Sequence, residues 1–196
     1  MQSTALIFLS GFTQTEQFGS GMDNVQRHCA RIFRDDADVY DLRPWNVNTR
    51  GLANLMERNG VKKAILAGYS WGAGFALVNL SKQLIKKGIS VELALLCDPV
   101  DRAGWLPAWS LLTVFSFRSM LSKFGTVKIP DAVKCVIGIR QEFNSPKAHR
   151  ISYQGKKFDL PLVKNKWVGH NQIDDSGEWV DLVICTLKTY FKASKK

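Results

Sequence analysis

The chain has 196 residues, of which 45% are hydrophobic and 22% charged. These proportions exclude an intrinsically disordered or collagen-like chain, and the longest apolar stretches are too short to span a bilayer. The formal net charge is +10, a balance that suits nucleic acid, anionic membrane or an acidic substrate and bears on association rather than on fold.

Short apolar runs alternate with helix-like segments along the whole chain. Ala5–Leu9 is a continuous apolar run ended by Ser10-Gly11, as expected of a strand buried on both faces. Residues 22–34 carry Val25, Cys29, Ile32 and Phe33 at helical spacing. Asp38–Leu42 reads as a short strand stopped by Pro44, and 49–59 as a helix with Leu52, Leu55 and Met56 on one face. Ala64–Ala67 is a second buried strand, followed by a helix from about Trp71 to Lys87 that Gly88 closes. Val91–Cys97 and Val133–Ile139 read as further strands. Residues 144–160 read as loop with a hairpin, and Leu162–Val168 as a polar, edge-like last strand. Residues 177–192 form a closing helix with Val180, Val183, Ile184, Leu187 and Phe191 as its stripe. Alternation of this kind predicts one α/β domain over 1–196, with a mostly parallel central sheet and helices on both faces.

Cys29, Cys97, Cys135 and Cys185 form no C-x-x-C pair and no zinc-finger spacing. All four are expected to be reduced thiols in or near the core, and no metal site is expected. The N-terminus has no positive region before Ala5–Leu9, and that run is shorter than a signal-peptide core. A cytoplasmic protein is the expectation.

Residues 68–72 read Gly68-Tyr69-Ser70-Trp71-Gly72. The G-x-S-x-G pattern is weak alone, but here a strand runs into it and a helix leaves it, the setting of a nucleophile elbow. A serine at so tight a turn adopts a strained backbone and needs small neighbours. The turn would lift the Ser70 hydroxyl above the sheet and set the Trp71 N–H at the positive end of the helix, where an oxyanion is stabilised. No G-x-G-x-x-G follows the first strand and no P-loop is present.

With this motif, Ser10-Gly11-Phe12 after the first strand and Gly169-His170 before the last helix, the chain resembles the α/β-hydrolase superfamily, in size its small esterases and thioesterase-like members. The resemblance implies the chain order serine, acid, histidine. His170 lies where the family has its base; His149 is the alternative, and His28 precedes the elbow. The acid is expected at Asp98, at the C-terminal end of a strand, where active-site residues of open α/β sheets gather. The family most often has its acid one strand later, where Glu142 competes; Asp101 is a third choice. Asp174 and Asp175 are read as caps of the last helix. The resemblance implies the Phe12 N–H as second oxyanion donor beside Trp71, although Ser10-Gly11 stands where the family often has His-Gly. Gly11, Tyr69, Trp105 and Trp109 are expected to line the substrate site.

Residues 105–117 are rich in aromatics and flanked by Arg102 and Arg118. Three roles stay open for 102–126: an outer-layer helix, a short lid or pocket wall, and docking on a membrane surface. The other basic residues are dispersed, and no nucleic-acid module is present. The expected activity is that of a serine hydrolase acting on an acyl ester or thioester without cofactor. The alternatives are a catalytically inactive hydrolase-fold binding protein with a basic surface, and an acyltransferase. Oligomeric state is left open by the sequence.

Overall fold

The structure is a computed structural model that describes residues 4–12, 20–101, 126–141, 148–161 and 168–195. Its frame is a six-stranded sheet of β1 (Thr4–Leu9), β2 (Asp38–Val39), β3 (Lys63–Tyr69), β4 (Ser90–Cys97), β6 (Cys135–Arg140) and β8 (Lys156–Pro161), in the order β2-β1-β3-β4-β6-β8. Every pairing in it is parallel. A separate parallel pair joins β5 (Thr126–Lys128) to β7 (Arg150–Ser152). The helices are α1 (Gly21–Ile32), α2 (Thr49–Arg58), α3 (Leu77–Lys86) and α4 (Gly177–Ser194).

Alternation along each strand divides the core into two layers, because successive side chains point to opposite faces. Ala5, Ile7, Leu9, Ala64, Leu66, Ala94 and Leu96 pack with Leu52 and Met56 of α2 and with Leu77, Leu80 and Leu84 of α3. Leu6, Phe8, Ile65, Leu93, Leu95 and Cys97 pack with Val25 and Cys29 of α1 and with Trp179, Val183 and Leu187 of α4. Helices therefore cover both faces, as the two-sided apolar strands predict.

Local chemistry sets the helix starts. The Ser20 hydroxyl accepts from the Asp23 N–H at 3.2 Å, and the Asn48 side chain accepts from the Gly51 N–H at 2.9 Å. In α4 the cap is Ser176, whose hydroxyl accepts from the Trp179 N–H at 3.2 Å. Asp174 and Asp175, expected as caps, lie instead in the short 3-10 turn Ile173–Asp175, and Asp174 is fully buried.

Three further expectations change. The helix after Ser70 opens with a π-turn over Gly72–Ala76, where the Leu77 N–H reaches back to the Gly72 carbonyl, before α3 begins. Among the described residues of 144–160 no hairpin forms: β7 pairs with β5 and β8 with β6, in different sheets. Of the thiols, all are free, Cys29 and Cys97 are buried, but Cys185 is exposed on α4. The segment 102–125 and most of the expected strand 162–168 lie outside the described residues. Among the described residues no helix is long and apolar enough to cross a membrane.

Gly72 is where the helix start meets β1. A Cβ there would strike the backbone carbonyls of Leu9 and Ser10, which cannot swing aside as a side chain could. Gly72→Ala should therefore cost about 2 kcal/mol, as overpacking does, seen as a fall in Tm of roughly 4–8 °C. Gly177→Ala is the control, since its methyl meets nothing within 4 Å; its Tm should hold or rise.

Candidate active site

Strand β3 delivers Ser70 into a left-handed turn with φ 53°. That conformation costs a residue with a Cβ about 1–2 kcal/mol, so the surroundings must hold it. The Ser70 N–H donates to the Cys97 carbonyl at 3.0 Å, and the Ser70 carbonyl accepts from the Gly74 N–H at 2.8 Å and the Val100 N–H at 3.1 Å. The small residues of the motif are needed for the same corner: a Cβ on Gly68 would lie 2.8 Å from the Ala73 nitrogen.

Strand β4 ends in the same way. Asp98 has φ 44°, and its N–H donates to the Ile139 carbonyl at 2.7 Å. Its carboxylate is fully buried. One oxygen accepts from the Gln141 N–H at 2.9 Å; the other accepts from the Gln141 side-chain amide at 3.3 Å and faces His170 Nδ1 at 2.5 Å. The opposite ring nitrogen, His170 Nε2, is 2.9 Å from Ser70 Oγ. An Nδ1–H donated to Asp98 leaves Nε2 to accept the serine proton, the arrangement that activates a hydroxyl. Thus residues 70, 98 and 170 meet in one hydrogen-bonded line, with Ser70 3% and His170 7% exposed.

The loop after β1 lies beside the serine. A Cβ on Gly11 would be 3.3 Å from Ser70 Cβ. The Phe12 ring packs on Trp71 with centroids 4.2 Å apart, and Trp45 packs on both, at 5.7 Å from Phe12 and 4.8 Å from Trp71. Phe12 is 37% exposed, the exposed large hydrophobic residue among those described. Tyr69, expected at the substrate, is buried, and its hydroxyl donates to the His170 carbonyl at 2.5 Å. Burial, reinforced by the charge of Asp174, pushes that phenol far above its usual range. Burial does the same to the Cys97 thiol beside Asp98, with Asp174 and Asp98 adding to it.

The two competing histidines are engaged elsewhere. His149 is buried, accepts from the Asp101 N–H at Nδ1 at 2.9 Å and donates its own backbone N–H to the Pro99 carbonyl at 2.7 Å. It thus braces the turn after Asp98. His28 lies exposed on α1, next to Arg31. Glu142, Trp105 and Trp109 lie outside the described residues. Among the described residues no group of three or more His, Cys, Asp and Glu side chains could hold a metal ion. Gln141 was not singled out by sequence reasoning, although its place at the end of β6 was the available signal.

No family model and no curated protein matches the chain. Among solved structures, alpha/beta hydrolase domain-containing protein 10 from mouse superposes with a TM-score of 0.51 at 13% identity, over 96% of this chain and 90% of that one. The chain has the α/β-hydrolase fold. A hyperthermophilic esterase from the archaeon Pyrobaculum calidifontis gives a TM-score of 0.49 at 15% identity, over 99% of this chain and 76% of that one. The RedJ thioesterase from the prodiginine biosynthetic pathway in Streptomyces coelicolor gives 0.46 at 12%, over 96% and 85%.

The strain at the elbow of this α/β-hydrolase fold can be measured apart from its hydroxyl. Ser70→Gly and Ser70→Ala both delete the oxygen, but only glycine accepts φ 53° freely. Ser70→Gly should be the more stable of the two by about 1 kcal/mol, or roughly 2–4 °C in Tm. Equal melting points would mean that the corner is unstrained.

Proposed function

We propose that the protein is a serine hydrolase that cleaves an ester or thioester through an acyl-enzyme. The carrying observation is the continuous line from Ser70 Oγ through His170 to Asp98, at 2.9 and 2.5 Å. Ser70 attacks the acyl carbon as His170 Nε2 takes its proton. His170 then returns that proton to the departing alcohol or thiol. Water, deprotonated by the same nitrogen, attacks the acyl carbon; the bond to Ser70 Oγ breaks, His170 gives its proton back to that oxygen, and the acid leaves. Asp98 fixes the ring tautomer and stabilises the imidazolium without itself taking the proton.

The tetrahedral oxyanion is received by the N–H of Trp71, at the start of the helix leaving the elbow, and the N–H of Phe12 on the adjoining loop. Two backbone donors fixed before reaction are worth far more than donors that must be organised during it. The expected substrate is a small acyl ester or thioester with apolar surface, which the exposed Phe12 ring would meet.

A fluorophosphonate should label the folded wild type and fail on Ser70→Ala. Asp98→Asn should keep the fold and lower ester turnover on the order of 10⁴-fold, as loss of the correct histidine tautomer does. Well-folded wild type that takes no label would favour a non-catalytic binding protein. Acyl transfer to an acceptor other than water would show in the products as acylated acceptor in place of free acid.

A further inference from the structure

We propose that Tyr69 is a positioning residue that clamps the histidine loop to the elbow while its ring seats the oxyanion loop. The inference rests on the serine hydrolase reading of Ser70, His170 and Asp98. Three observations converge on this side chain. Its hydroxyl donates to the His170 backbone carbonyl at 2.5 Å, across 101 positions of sequence. Its ring lies 5.1 Å from the His170 ring, centroid to centroid, tilted by 32°. A Cβ on Gly11 would fall 2.7 Å from its Cδ1 and Cε1. Tyr69 thus sits between the loop that carries Phe12 and the turn that carries His170.

The turn at His170 shows why a clamp is needed. Gln172 N–H bonds to the Gly169 carbonyl at 3.1 Å, and Gly169 N–H bonds to Gln172 Oε1 at 3.2 Å. Those bonds shape the turn but do not set its place above Ser70. The phenol, together with the Asp98 contact at Nδ1, ties it to the strand ends, and Tyr69 is joined to Ser70 by a single peptide bond. Any movement of the elbow therefore carries the histidine carbonyl with it, and the 2.9 Å contact from Nε2 to Oγ is kept. The phenol is buried and held in its protonated form, so it remains a donor.

Tyr69→Phe tests the clamp, since it keeps the ring under Gly11 and removes only the donor. A displacement near 1 Å in a catalytic group costs about 100-fold. The variant should lose roughly 10- to 100-fold in kcat for a p-nitrophenyl ester, with KM within about twofold of wild type, because the binding surface is unchanged. Fluorophosphonate labelling of Ser70 should slow by the same factor. In proton NMR, the downfield His170 Nδ1–H signal toward Asp98 should shift or broaden. A kcat and labelling rate like wild type, with that resonance unmoved, overturn the clamp and leave the hydrolase reading intact. Folded wild type that neither labels nor hydrolyses ends the hydrolase reading, and the resonance comparison then decides the clamp alone. Should Tyr69→Phe not fold, difluorotyrosine at position 69 keeps the shape and changes the acidity of the donor. A moved His170 resonance supports the clamp; an unmoved one overturns it.

Discussion

Two neighbouring parallel strands end in the same strained way, and the site follows from how those ends are stitched together. Strands β3 and β4 are paired with Tyr69 opposite Cys97, so Ser70 and Asp98 are the next residues along, side by side. Both turn left-handed. The Ser70 N–H bonds to the residue just before Asp98, and the Ser70 carbonyl accepts from Val100, two residues after it. Each backbone bond adds about 0.5–1.5 kcal/mol net, enough together to hold a conformation that costs about 1–2 kcal/mol per residue. Among the described residues, Ser70 and Asp98 are the non-glycine residues with positive φ, and both carry the side chains that meet His170.

The proposed acid at the end of β4 has a physical counterpart at the end of β6. A fully buried carboxylate is tolerated only when its oxygens are matched by donors. Asp98 has the backbone N–H and side-chain amide of Gln141 on its two oxygens, and His170 on the second. A carboxylate at position 141 would set a like charge against Asp98. The neutral amide at 141 instead donates to Asp98, so glutamine at 141 and aspartate at 98 form one choice rather than two.

Much of this was readable from the residues. The continuous apolar run Ala5–Leu9 foretold a strand buried on both faces, which the two core layers share, and Gly68 and Gly72 foretold a corner that only small residues fit. The order of serine, aspartate and histidine came from a family resemblance rather than from periodicity, and the three side chains do meet. What escaped reading depends on contacts remote in sequence. β8 has a polar start, Lys156-Lys157, and lies at the edge of the sheet, so no apolar run announced it. The π-turn is built from Gly72, Ala73 and Gly74, residues that a plain helix would also accept; their crowding against β1 and β3 is a tertiary matter. Gln141 reaches Asp98 over 43 positions and Tyr69 reaches His170 over 101, and nothing local encodes either bond.

The aromatic residues around the elbow explain how two proposed oxyanion donors from distant parts of the chain could hold a fixed spacing. Phe12 and Trp71 carry the two N–H groups, and their side chains pack on one another at 4.2 Å, with Trp45 against both. Such aromatic pairs add about 0.5–1.5 kcal/mol beyond simple burial. The Ser10 N–H is also tied to the Arg43 carbonyl at 2.9 Å, so the loop is fixed at its base as well as at its tip. Stabilising a developing charge depends on donors that do not have to move when it appears. Here the fixing element is a pair of rings outside the reacting line, and an aliphatic residue at position 12 would keep the N–H while weakening what holds it in place. With Ser10-Gly11 in place of His-Gly, the proposed Phe12 donor is held on both sides, by the Ser10 N–H on the Arg43 carbonyl and by the Phe12 ring on Trp71.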